Sequence, residues 1–148
     1  MTKYLEDLAV GMKLVSPGDR LITRADIVAF ATEWDPQLYH VDEDAAQRSP
    51  FGKFCASALH SMAVCQKLAH ETGIFEYEPI IGLGIAGLAF PKPVLEGDRV
   101  RGQVTVQDVR PSKSRSDQGI VTILVELVNQ DDDIVLSYTI TELVKRRP

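Results

Sequence analysis

The chain has 148 residues, a formal charge of -5, 45% hydrophobic residues and 25% charged ones, which is the size of one domain, 1–148, with enough apolar content for a core without disulfides. The acidic balance argues against a nucleic-acid partner gripped through its phosphates, and no apolar run is long enough for a membrane span. The opening MTKYLEDLAVGMK has no signal-peptide-like stretch either, so the cytoplasm is the expected compartment.

Thr23 followed by Asp26 has capping-box spacing, and Ile22 with Ile27 has that of a hydrophobic staple, which together predict a helix from Arg24. Ile27, Phe30, Ala31 and Trp34 recur at three- and four-residue spacing as its buried face. Asp35 then falls at its C-terminal end. Asp42 can cap a second, short helix over 43–47, ended at Ser49-Pro50 because a residue before proline avoids the helical region. His40 would lie between these two helices.

A longer helix is predicted over 55–70, stopping at Gly73. Cys55, Leu59, Met62, Cys65 or Gln66, and Ala69 form one stripe, and Ala56, Ala58, Ala63, Val64 and Leu68 leave little of the remaining surface polar. Such a helix should be enclosed by other structure. Ten positions on one helix put Cys55 and Cys65 about 15 Å apart, too far to pair, so both read as small core residues in a reducing compartment.

The second half changes period. Gly82-Leu83-Gly84-Ile85-Ala86-Gly87 has the G-x-G-x-x-G spelling of a dinucleotide-binding turn, but Pro91 and Pro93 oppose the helix that such a turn must open. A strand over 80–90 whose glycines permit a bulge or a close backbone approach is the expected structure. Val100, Val104 and Val106 alternate with polar residues, a polar turn covers 112–119, and β-rich runs follow at 120–128 and 134–144. With the 80–90 strand and one from the N-terminal segment, this is an antiparallel sheet of roughly five strands able to curl around the apolar helix. The last four residues, Lys145 to Pro148, read as a solvated tail.

The chemistry-bearing segment is Asp35-Pro36-Gln37-Leu38-Tyr39-His40-Val41-Asp42. An acid and an imidazole separated by a proline kink can turn toward one pocket and exchange protons near neutrality. Read blandly, Asp-Pro is a helix stop and the histidine a satisfied core or surface residue. A metal is not expected, because no second histidine or cysteine arrives at ligand spacing, and His60 and His70 stand off each other's helix face.

This segment, with Ser49-Pro50-Phe51-Gly52, the small-residue entry Cys55-Ala56-Ser57-Ala58, Lys92-Pro93-Val94 and Gly97-Asp98, resembles the MaoC-like hydratase and dehydratase family across most of the chain. The resemblance implies an α+β hotdog domain, a sheet wrapped around one long central helix. It also implies a homodimer or larger homo-oligomer, for which the apolar character of both faces of the 120–128 strand is a second reason. The implied reaction is reversible addition of water to a trans-2-enoyl thioester of coenzyme A, with no cofactor beyond that carrier. Asp35 and His40 match the catalytic pair, and the Ala58 N–H matches the oxyanion donor at the helix start. The family pattern Asp-x-Asn-Pro-x-His is altered here: Gln37 stands for the asparagine and Leu38 for the proline. Ser57-Ala58 replaces His-Gly, and the Ser57 hydroxyl is either a third hydrogen-bonding group or a helix-start residue. Two other readings stand beside hydration: a non-catalytic acyl-thioester binding protein, and a thioesterase, which on this fold often carries its acid on the long helix.

Overall fold

Thr23 Oγ1 accepts the Asp26 N–H at 3.1 Å, so helix α1 (Arg24–Trp34) starts where its capping pattern predicts. The computed structural model describes residues 2–78 and 81–148. Ile27 and Ala31 are fully buried under α1, but the expected stripe ends early: Trp34 is 63% exposed. Asp42 Oδ1 accepts the Ala45 N–H at 2.8 Å and caps α3 (Glu43–Arg48), which Ser49-Pro50 terminates. Between them lies an unforeseen single turn, α2 (Leu38–Val41), so His40 sits within a helical turn rather than in a connection.

The long helix α4 (Ala58–Glu71) begins three residues later than expected. Ser57 caps it by accepting the His60 N–H at 3.1 Å, while Cys55 forms a lone antiparallel bridge with Leu95. Cys55 is therefore extended backbone, and the helical spacing assumed between the cysteines does not apply; both thiols are free and buried. The buried face keeps Cys65 and Ala69 of the expected stripe but otherwise runs through His60, Ser61, Val64 and Leu68, leaving Leu59 54% exposed. With small residues on nearly every side, hydrophobicity alone does not fix the rotation of this helix. The sheet does: a Cβ on Gly102 would lie 2.8 Å from Leu68 Cβ, so only glycine lets α4 lie this close.

Among the described residues the sheet has six strands, all antiparallel, in the order β1 (Lys13–Val15), β4 (Arg99–Pro111), β5 (Gln118–Val128), β6 (Ile134–Lys145) and β3 (Ile81–Ala89), with β2 (Arg20–Leu21) also pairing with β4. The N-terminal segment contributes two short strands where one was expected. The β4–β5–β6 meander supplies the inner face, where Val104, Val121, Ile123, Val125, Leu136 and Tyr138 pack with Cys65 and Leu68 of α4 in one core. Gly97 turns the chain into β4 at φ 92°, and Asp98 Oδ2 holds the turn by accepting the Leu95 N–H at 2.9 Å.

The segment with the dinucleotide spelling is strand β3, with register shifts between Gly82 and Gly84 and between Ala86 and Ala89; Ile80 of the expected range lies outside the described residues. The C-terminal tail is exposed, as expected, and is also tied by ion pairs to the N-terminal segment. Arg146 pairs with Glu6 at 3.0 Å and Arg147 with Asp7 at 2.6 Å, while the Arg147 backbone N–H, donating to Glu6 at 2.9 Å, and then the Arg146 guanidinium hold the Glu6 carboxyl below its usual range. No helix among the described residues is long and apolar enough to cross a membrane.

Candidate functional site

Asp35 is the C-cap of α1, and its backbone leaves the helical region at φ -156° and ψ 72°, as a residue before proline must. The single turn of α2 then brings His40 back beside it. His40 Nε2 lies 3.9 Å from Asp35 Oδ2, too far for a direct hydrogen bond. The imidazole is buried, its side chain 5% exposed. Its other nitrogen, Nδ1, is 2.5 Å from the Cys55 carbonyl oxygen. A carbonyl only accepts, so Nδ1 carries the proton and, in the neutral ring, Nε2 presents its lone pair toward Asp35.

Two more side chains complete the local network. The Gln37 amide donates to Asp35 Oδ1 at 3.1 Å, and the Tyr39 hydroxyl donates to Gln37 Oε1 at 2.6 Å. The Tyr39 ring stands edge-on to His40 with centroids 4.6 Å apart. All four residues border a cleft of about 380 Å³ whose wall also includes Ala58 and Ser61 of α4, Phe51, and the strand-connecting residues Phe90 to Val94. That volume suits a small-molecule site. Ala58 is the first residue of α4, and among the described residues its N–H has no protein acceptor, as the helix start requires.

Of the residues singled out in the sequence, Asp35, Gln37, His40 and Ala58 gather at this cleft. Ser57 does not: it is fully buried, and its hydroxyl serves the helix start. Of the aromatic side chains near this segment, Tyr39 lines the cleft, whereas Trp34 faces solvent and Phe54 is buried elsewhere. Phe51, Phe90, Lys92 and Val135 line it instead. Val135 comes from β6 and Lys92 from the turn after β3, so no local spacing could have announced them. Lys92 is held to Asp133 at 2.6 Å. Cys55 also borders the cleft, but burial pushes its thiol up to about 11, which makes it a poor nucleophile. Among the described residues no three histidine, cysteine or acidic side chains gather as a metal site.

Residues 7–129 match the MaoC like domain. The chain belongs to that family. The crystal structure of a MaoC-like dehydratase from Rhodospirillum rubrum superimposes with a TM-score of 0.90 at 40% identity, covering 99% of each chain. An uncharacterized protein of Bacillus subtilis, YdeM, is 34% identical over 84% of this chain and 87% of its own length. The 3-hydroxyacyl-thioester dehydratase Z of Mycobacterium tuberculosis is 29% identical over 80% of each. The antiparallel sheet around α4 is thus the hotdog fold of MaoC-like proteins, and the hydratases and dehydratases of this family set the class in which the cleft is to be read.

Proposed function

We propose that this MaoC-like domain catalyses the reversible hydration of a trans-2-enoyl thioester of coenzyme A, or equivalently the dehydration of a 3-hydroxyacyl thioester. The observation that carries this reading is the 3.9 Å gap between Asp35 Oδ2 and His40 Nε2. One water hydrogen-bonded at about 2.8 Å to both groups spans such a gap. The Cys55 carbonyl holds the imidazole in the tautomer that receives a proton from that water. As the water O–H bond breaks toward Nε2, the oxygen adds to C3 of the enoyl group and negative charge moves to the thioester oxygen. The Ala58 N–H at the start of α4 stabilises that charge. Protonated His40 then returns its proton to C2, so one water has been added and the pair is restored.

The thioester-binding part of the proposal rests on the cleft's mixed wall, apolar at Phe51, Phe90 and Val94 and polar at Asp35, Gln37 and His40. The relative named as a 3-hydroxyacyl-thioester dehydratase supports the substrate class. We place the protein in the cytoplasm, where its two unpaired thiols suit a reducing environment. We further propose a homodimer, joined along the exposed edge of β3.

Crotonyl-CoA and butyryl-CoA separate the readings. Loss of the enoyl absorbance without free thiol is the expected result; free thiol from both substrates means a thioesterase, and binding without either change means a non-catalytic domain. Asp35→Asn and His40→Ala are each expected to lower kcat by about 10²- to 10⁴-fold with near-parent thioester binding, since a proton-transfer pair acts chiefly in the transition state. Hydration at the parent rate by either variant contradicts the assignment.

A further inference from the structure

Gln37 touches Asp35 through a group that has two orientations. Its side-chain NH2 donates to Asp35 Oδ1, whereas a flipped amide would set its own oxygen against the carboxylate. The Tyr39 hydroxyl decides between them. By donating to Gln37 Oε1 at 2.6 Å it pins the amide oxygen on the side away from Asp35 and leaves the NH2 facing the carboxylate. With Oδ1 so engaged, Oδ2 is the oxygen left toward His40. The same tyrosine packs its ring edge-on against the imidazole, with 4.6 Å between centroids and 66° between planes. One side chain therefore bears on both halves of the acid/base pair. The local backbone supports this, because the Gln37 N–H donates to the Asp35 carbonyl at 2.8 Å and the His40 N–H to the Gln37 carbonyl at 2.9 Å.

We infer that Tyr39 is a positioning residue for the hydration reaction, its hydroxyl fixing the Gln37 amide and through it the Asp35 carboxylate, and its ring restraining His40. The inference rests on the proposed hydratase reading. It separates the two parts of the side chain: the hydroxyl acts only through Gln37, and the ring acts independently of it. What depends on Tyr39 is the direction of the Asp35 lone pairs.

The test combines kinetics with a readout that needs no turnover. Tyr39→Phe keeps the ring and removes the hydroxyl, and kcat for crotonyl-CoA should fall about fivefold with KM within twofold, the scale of one net hydrogen bond. In a Gln37→Ala background the same change should alter kcat by less than about 1.5-fold, because the hydroxyl has lost its only route to Asp35. Tyr39→Leu, which removes the ring as well, should lose about tenfold beyond Tyr39→Phe. Independently, the Gln37 side-chain NH2 resonances, assigned by their disappearance in Gln37→Ala, should be dispersed in the parent and collapse toward free-glutamine positions in Tyr39→Phe. Unchanged Gln37 resonances, an unchanged kcat, or multiplicative effects of Tyr39→Phe and Gln37→Ala would each overturn the inference. A parent that hydrates no enoyl thioester overturns the hydratase reading instead; the resonances then decide alone whether Tyr39 orders Gln37.

Discussion

Strands β5 and β3 are both apolar, and the fold treats them in opposite ways. In β5, Val121, Ile123, Val125 and Leu127 are wholly buried, whereas all nine residues of β3 are exposed, Ile81, Leu83 and Ile85 at about half their surface. Position in the sheet makes the difference. β5 is flanked by β4 and β6 and has α4 over its inner face, while β3 ends the sheet. Ile85 pairs with Ile140 and so points to the same face, yet Ile140 is 8% exposed and Ile85 50%. Ile140 belongs to the hydrophobic core and Ile85 does not. The exposed apolar surface is therefore on β3, not on the 120–128 strand to which the sequence argument assigned it.

The sharpest way to break this comparison is to place a charge on each strand. Val125→Asp buries an unpaired carboxylate and should abolish cooperative folding, a loss of more than about 4 kcal/mol. Ile85→Asp should leave the monomer folded with a near-parent circular dichroism spectrum, while sedimentation shifts from dimer to monomer. A truncation pair gives a smaller contrast. Ile123→Ala should cost about 2–5 kcal/mol in chemical denaturation, and Ile85→Ala less than about 1 kcal/mol at concentrations where the chain is monomeric.

Glu142 stands at the boundary between the two regions, paired with Gly82 of β3 yet 4% exposed. Burial raises its pKa, and the Tyr77 hydroxyl, which donates to Oε2, offsets this only in part. A raised carboxyl pKa means that the folded chain holds its proton to higher pH than the unfolded chain. The contribution to stability is full below the ordinary value of 4.5 and is lost as pH rises through the folded value. Thermal midpoints should fall over that interval, and Glu142→Gln should flatten the fall. The smallest effect is expected where β6 meets β3 through a side chain. Thr139 Oγ1 donates to the Ala86 carbonyl at 3.3 Å, and Thr139→Val should change stability by no more than about 0.5 kcal/mol in the same denaturation assay.

What could be read from the sequence was local in origin. Thr23 and Asp42 cap helices because their partners lie three residues on, and the β4–β5–β6 meander follows from period-two runs joined by polar turns. Asp35 and His40 were legible for the same reason, five positions apart across a proline. The tautomer of His40 was not, because it depends on a carbonyl fifteen residues away in a segment whose extended backbone is set by Leu95. The start and rotation of α4 were also hidden. Small apolar residues continue through its entry, and what orients it is a glycine on β4. The exposure of β3 was hidden as well, because it follows from the strand order, which only long-range pairing determines.

The two margins of the sheet differ in what they can recruit. At one side are β1 and β2, of three and two residues; at the other is the nine-residue β3, interrupted twice in register. A long regular border invites strand after strand, as in a growing fibril. Here, two copies meeting border to border about a twofold axis would consume the nine-residue margin of β3 and present the margin of β1 and β2 outward. The interruptions narrow the choice of mate further, since a bulged strand matches few registers. Growth would then end at two, so that an edge fully open to water in the single chain would become, once paired, the feature that keeps the protein from polymerising.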